Sequence, residues 1–327
     1  MSFSSLFALK KVDNLDLLKA LGILLVLINH SSWHNLQGGV NILILISGLN
    51  FARFSFKKDN KEMVADILRL LKKLLVPSVL LIIFYSMIYT KFDWKELFLI
   101  SNFYYPQKIS TFPVWYVQAI TQLFLIIIPL AFLFNFSRWT KTHPIKFSLC
   151  MLALAMAMPL AIDLFIDSAS LYWKLPHYIA WNFILGWVIW AMLYDSPRTV
   201  RNQLLCWVIV LTSTFIVLQV YQPIPINRFI IFSILVTLLI LFRTVKIPNF
   251  SYRPVIILAS AVFYIFLLHG GVMKWFVDHF GSHLSYAMTS ILKFIVALLI
   301  CCVSYIIISA FTKAWVVVKN KRKAMNS

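Results

Sequence analysis

The sequence predicts an all-α polytopic membrane protein of about ten transmembrane helices with both termini in the cytoplasm. Composition is the first reason. Of 327 residues, 61% are hydrophobic and 13% charged, whereas soluble domains run nearer half apolar and a quarter charged. Segment length is the second. Apolar runs of about 17 to 25 residues recur, enough to cross a hydrocarbon core of ~30 Å at about 1.5 Å per residue. The third is an alternation of basic residues along the chain.

The expected spans lie near 15–32, 38–54, 73–90, 114–135, 145–163, 177–194, 203–221, 226–242, 254–274 and 286–311. Asp13, Asp16 and Lys19 enter the first, and no small-residue cleavage site follows it. It therefore reads as a retained helix, not a signal peptide. No linker, low-complexity segment or fixed-period repeat interrupts the chain. The expected organisation is a cytoplasmic segment 1–14, a membrane domain 15–312 and a basic cytoplasmic tail 313–327.

The net charge of +19 could suggest nucleic acid, so the placement of the cations decides. With both termini inside, cytoplasmic segments hold 22 of the 30 Lys and Arg. These are Lys10 and Lys11, seven between Arg53 and Lys73, Arg138, Lys141, Lys146, Arg198, Arg201, Arg243, Lys246, Arg253, and five from Lys313 to Lys323. The opposite side holds Lys91, Lys95, Lys108, Lys174, Arg228 and Lys274, and Lys19 and Lys293 sit within spans. That is the positive-inside rule repeated throughout, and it leaves nucleic-acid binding without a purpose. The tail "KNKRK" would rest on the anionic inner leaflet.

Cys150, Cys206, Cys301 and Cys302 all fall in apolar spans without disulfide or zinc spacing, so they are expected as buried packing. The longest external loop, about 91–113, carries "FYYPQKISTFP", whose Tyr104, Tyr105 and Pro106 suit an interface. Trp33, Trp115, Tyr116, Tyr172, Trp173, Tyr178 and Trp275 gather near external ends, as headgroup anchors would.

"LDLLKALGILLVLINH" places a lysine and a histidine inside one apolar run. Eleven steps of about 100° return His30 to within roughly 20° of the Lys19 face, after a rise of about 16 Å. Asp16 lies one turn before Lys19 and can pair with it. Lys19 could snorkel to the inner interface and His30 could meet water at the outer one. Two ionisable groups on one face favour an inward functional stripe. A neutral imidazole can take a proton from a hydroxyl, and a lysine can hold a phosphate, a carboxylate or a polarised carbonyl.

In "QGGVNILILISGLNFARF", Gly38, Gly39, Ser47 and Gly48 are small enough for another helix to approach, for packing or for a substrate path. In "ILRLLKKLLVP", Arg69 with Lys72 and Lys73 presents cations on one face. They suit positive-inside anchoring or an anionic cofactor such as coenzyme A.

Together these segments resemble the integral-membrane acyltransferases called acyltransferase-3. A basic residue, ten residues and a histidine in the first span are supplied by Lys19 and His30. "GGVNILILISGLNF" is similar to the family's second-span pattern, without its paired phenylalanines. Arg69-x-x-Lys72 resembles the Arg-x-x-Arg before the third span. "PVWYVQAI" resembles a Trp-aromatic motif at Trp115 and Tyr116, and "SAVFYIFLLHG" a penultimate-span motif ending in His269. Lysine stands twice where arginine is commoner in the family.

The resemblance implies O-acylation of cell-envelope glycans or related acceptors by a multi-pass protein of a bacterial inner membrane. Acyl-coenzyme A, most often acetyl-coenzyme A, would be the donor. Arg69, Lys72 and Lys73 would hold its phosphates, Lys19 would orient it, and His30 would activate the acceptor hydroxyl. His269 could line the same cavity or be a buried structural residue. His34 reads as a loop residue, and no ligand set for a metal appears. The acceptor could be an O-antigen or capsule sugar, a lipid-linked saccharide, a lipid or a small peptide product. The rival reading is a transporter or flippase with Lys19 and His30 as an ion pathway, which the scarcity of acidic residues in the spans disfavours.

Overall fold

The computed structural model describes residues 8–31, 36–89, 92–104, 115–164, 174–221 and 226–325. Among these are ten helices of 15 or more residues. In chain order they are α1 (Asn14–His30), α2 (Gly39–Ser55), α3 (Asn60–Tyr89), α4 (Trp115–Leu133) and α5 (Pro144–Asp163). There follow α6 (Pro176–Trp190), α7 (Val200–Tyr221), α8 (Ile226–Leu241), α9 (Asn249–Phe280) and α10 (Tyr286–Met325). Each segment expected to span falls on one of them. Five, namely α4, α5, α7, α9 and α10, are long and apolar enough to cross a membrane by themselves.

Two features depart from the expectation. Two short strands, β1 (Leu9–Asp13) and β2 (Thr244–Pro248), pair antiparallel with Leu9 opposite Pro248 and Asp13 opposite Thr244. So the chain is not purely helical. Neither "LKKVD" nor "TVKIP" has enough apolar alternation to announce a strand; each exists because the other is there. The third helix is also longer than its apolar part. It starts at Asn60, with Asp59 Oδ1 accepting from the Glu62 amide at 2.8 Å. Met63, Ile67 and Leu71 form a buried stripe along this polar first half, at the i, i+4, i+8 spacing of an amphipathic helix.

The residues divide into two compact units, one of Met1–Gln37 with Thr244–Ser327 and one of Gly38–Arg243. In the first, the β1–β2 ribbon leads into α1 and α9, and α1 packs on α9 and α10. Asp13 ends the strand and caps the helix, its Oδ1 accepting from the Leu15 amide at 2.9 Å. Ser31 stops α1, its amide donating back to the Leu27 and Ile28 carbonyls and its Oγ to Leu27 O at 2.7 Å.

In the second unit the centre is the crossing of α2 and α6. A Cβ on Gly48 would lie 1.8 Å from Phe183 O, and one on Gly186 2.2 Å from Leu45 O. Glycine at both positions lets the two backbones touch. Around this crossing Phe51, Phe56, Phe124, Phe147, Phe183 and Trp187 form a continuous ring cluster.

Contacts within this unit gather alternate chain ends together. At one end Thr140 Oγ1 donates to Phe56 O, the Ser137 amide to Asn60 Oδ1, and Arg198 to the last carbonyls of α8 at Leu239 and Ile240. Lys57 pairs with Asp195 at the same end. At the other end Asn102 bonds Gln118, Gln122 and the Lys174 carbonyl, Asn182 bonds Asn41, and Asn41 bonds Arg228.

Some expectations fall outside the described residues: Trp33, His34, Lys91, Tyr105, Pro106, Lys108, Tyr172 and Trp173, with the tail side chains. Two others are corrected. Cys150 is exposed, because α5 turns that face away from its neighbours. Tyr178 is no surface anchor but 8% exposed, its ring 4.5 Å from that of His177. It lies in the first turn of α6, whose residues are all buried.

Candidate active site

The histidine that ends α1 has a second histidine beside it. The rings of His30 and His269 meet edge to face, with centroids 4.8 Å apart and planes at 87°. The two come from helices that pack along each other, and 238 residues of sequence lie between them. His30 is exposed and His269 fully buried.

The protonation of His269 follows from its contacts. Its Nδ1 lies 2.9 Å from the carbonyl oxygens of both Ile265 and Phe266. A carbonyl can only accept, so Nδ1 carries the proton and Nε2 the lone pair. Nε2 is buried with no hydrogen-bond partner among the described residues. A helix backbone thus locks an imidazole with its basic nitrogen free, next to the imidazole at the helix end. Such a nitrogen can receive an N–H from a neighbouring ring that has just taken a proton.

Lys19 pairs with Asp16 as their spacing predicts, Nζ to Oδ1 at 3.0 Å. The side chains keep 26% and 36% of their exposure, so the pair contributes only about 0.3–0.5 kcal/mol. Lys19 is therefore held lightly and is available to a ligand.

The basic group on α3 is less uniform than its sequence suggests. Arg69 is exposed but engaged, with an amino nitrogen 2.5 Å from Asp66 Oδ1 and Nε donating to Ala65 O at 3.2 Å. Asp66 also pairs with Lys58. Lys72 and Lys73 are exposed. An arriving anion would meet Lys58 and Arg69 tied to one carboxylate, with the exposed Lys72 and Lys73 one turn on along the helix. Asp66 was missed in the sequence because its i,i+3 pairing with Arg69 is legible only once the helix is known to begin at Asn60, and Lys58 because it reaches Asp66 from eight residues back, before that helix starts.

Two other motifs meet within the second unit. Ser47, in the Ser-Gly of α2, shares a 3.0 Å hydrogen bond with the Tyr116 hydroxyl at the head of α4. Ser47 is therefore a polar partner as well as a small residue. Gly38 has φ 110° and lets the head of α2 approach α8. No group of three or more His, Cys, Asp or Glu that could hold a metal occurs among the described residues.

A family model described as an acyltransferase domain, that of acyltransferase-3, matches residues 12–310. The chain belongs to the acyltransferase-3 family. No curated protein and no solved structure matches it. Membership makes this acyltransferase-3 protein a membrane acyltransferase, using an acyl donor and a hydroxylated acceptor. The matched region takes in both histidines, Lys19, the α3 cations and the Ser47–Tyr116 pair.

Proposed function

We propose that the protein is an O-acyltransferase of a bacterial inner membrane, moving an acyl group, acetyl foremost, from acyl-coenzyme A to a hydroxyl of a cell-envelope glycan or related acceptor. The observation that carries this reading is the His30–His269 pair. His30 is the general base, accepting the proton of the acceptor's hydroxyl as a neutral imidazole can. His269, its tautomer set by the Ile265 and Phe266 carbonyls, steadies the imidazolium that results. Lys19, about 16 Å from His30 along α1, lends a positive charge that orients the donor at a point away from the reacting carbonyl. The hydroxyl oxygen attacks the thioester carbon, coenzyme A leaves as the thiolate, and the proton on His30 returns to it.

Ten spans with cytoplasmic termini put the end of the second unit that carries Lys57, Thr140 and Arg198 inside. Reporter fusions at Lys141 and Lys174 are then expected on opposite sides of the membrane, Lys141 within. Finding both on one side would overturn that topology.

Arg69, Lys72 and Lys73 are the donor's phosphate contacts in this scheme. Replacing all three by glutamine should weaken acetyl-coenzyme A binding, with a larger loss at low salt because such contacts are partly screened. Unchanged affinity in a well-folded triple variant would leave the cations with anchoring alone. The function itself is tested by incubating membranes bearing the protein with labelled acetyl-coenzyme A and following label into glycan and lipid fractions. No incorporation above that of vector membranes would count against it.

A further inference from the structure

Arg228 lies in the first turn of α8 and is half-buried. Its Nε donates to Asn41 Oδ1 at 3.0 Å, and no carboxylate pairs with it among the described residues. Asn41 is neutral, so it satisfies one N–H and none of the charge. A guanidinium has five N–H donors in a rigid fork and stays charged at any ordinary pH. A cation of this kind in a membrane domain, with no counter-ion among the described residues, marks a functional position.

Two further features bear on it. The heads of α2 and α8 converge there: a Cβ on Gly38 would lie 3.3 Å from Arg228 O and 3.4 Å from the Phe232 amide nitrogen. Two helix N-termini add their positive ends to that of the guanidinium. Asn41, in the first turn of α2, receives at its backbone carbonyl the Asn182 amide, Nδ2 to O at 2.8 Å. That bond fixes which way Asn182 points, since only Nδ2 can donate to a carbonyl. Its Oδ1 is therefore an acceptor, 1% exposed as a residue and without a partner among the described residues.

We propose that Arg228, Asn41 and Asn182 form a subsite for the acceptor that recognises an oxyanion beside a hydroxyl. The fork of Arg228 takes the two oxygens of a carboxylate or phosphate, and Asn182 Oδ1 accepts from the neighbouring hydroxyl. The chemistry selects a uronic acid or a sugar phosphate over a neutral sugar. Calling the bound molecule the acceptor rests on the acyltransferase reading; the anion site itself does not.

The test is binding, so it needs no acyl transfer. Purified protein in phosphatidylcholine nanodiscs is titrated with methyl glucuronide, glucose 1-phosphate and methyl glucoside. One anionic probe or both should bind about tenfold or more tighter than the neutral one, with the advantage shrinking as salt rises. Preference for glucuronide assigns a carboxylate, and preference for the phosphate assigns a phosphate. Arg228→Gln should abolish the preference and Arg228→Lys retain part of it. Asn41→Asp is the folded control: it gives Arg228 an internal carboxylate, so it should keep the melting behaviour of the wild type and lose the preference. Because the readout is the anionic preference in binding, its loss leaves the base assignment untouched, and a failure of acyl transfer leaves this site untouched. Equal binding of the three probes by the wild type would overturn the proposal. So would a preference that survives in both Arg228→Gln and Asn41→Asp.

Discussion

His30→Ala is expected to lower acyl transfer by about 10²- to 10⁴-fold, the usual contribution of a positioned base. Donor binding and the amount of protein in the membrane should change little, because the side chain is exposed at the last position of α1 and the ring it meets is that of His269. The effect should sit in kcat, since the base acts when the hydroxyl is attacked. Lys19→Arg should keep more activity than Lys19→Ala, as charge is what that position supplies. Loss of the weak Lys19–Asp16 pair cannot mimic this through instability, its contribution being a fraction of a kcal/mol. The measurement is product formation in membranes holding equal amounts of each variant. A His30→Ala rate near that of the wild type would remove the base assignment and favour the transporter reading.

The second large effect is structural. Gly48→Ala should cost about 3 kcal/mol or more, at or above the upper range for overpacking. The new methyl would meet backbone, not a movable side chain: Phe183 O at 1.8 Å and Phe183 C at 2.6 Å. Helices α2 and α6 would have to part along their length and open the aromatic cluster beside them. Gly186→Ala should behave alike, for the same crossing seen from the other helix. Gly281→Ala is the comparison, since its nearest neighbour is the Val277 Cγ1 at 3.2 Å, which a rotamer change can relieve. Thermal melting in detergent should show both crossing variants strongly destabilised and Gly281→Ala near the wild type. A Gly48→Ala protein that melts like the wild type would mean the two helices can separate at little cost.

Much of this could be read along the chain because its signals are local. An apolar run needs no partner to declare itself a helix, and each of the ten expected segments lies on one. The Lys19–Asp16 pair is legible for the same reason, as i,i+3 spacing on a helix forces the neighbours together. The family resemblance, carried by motifs in sequence order, is matched by the family domain over 12–310. The polar first half of α3 was hidden because its stripe of Met63, Ile67 and Leu71 has charged residues interleaved and lowers the mean hydropathy.

Long-range contacts carry no such local trace, and they are what the tertiary structure decided. Gly48 could be named as a point of close approach, but nothing in the sequence gives Gly186 as its partner. Strands β1 and β2 exist through each other across some 230 residues. His269 could be lining or core until its Nδ1 met two carbonyls and its ring met that of His30. Arg228 was one cation in a count until Asn41 and the head of α2 were placed against it. The sequence by itself determined which segments are helical and which faces bear charge, because hydropathy and period act within a few turns. Which side chains share a site depends on how helices far apart in the chain pack, and that was determined only when backbone approach, steric fit and hydrogen bonding were satisfied together.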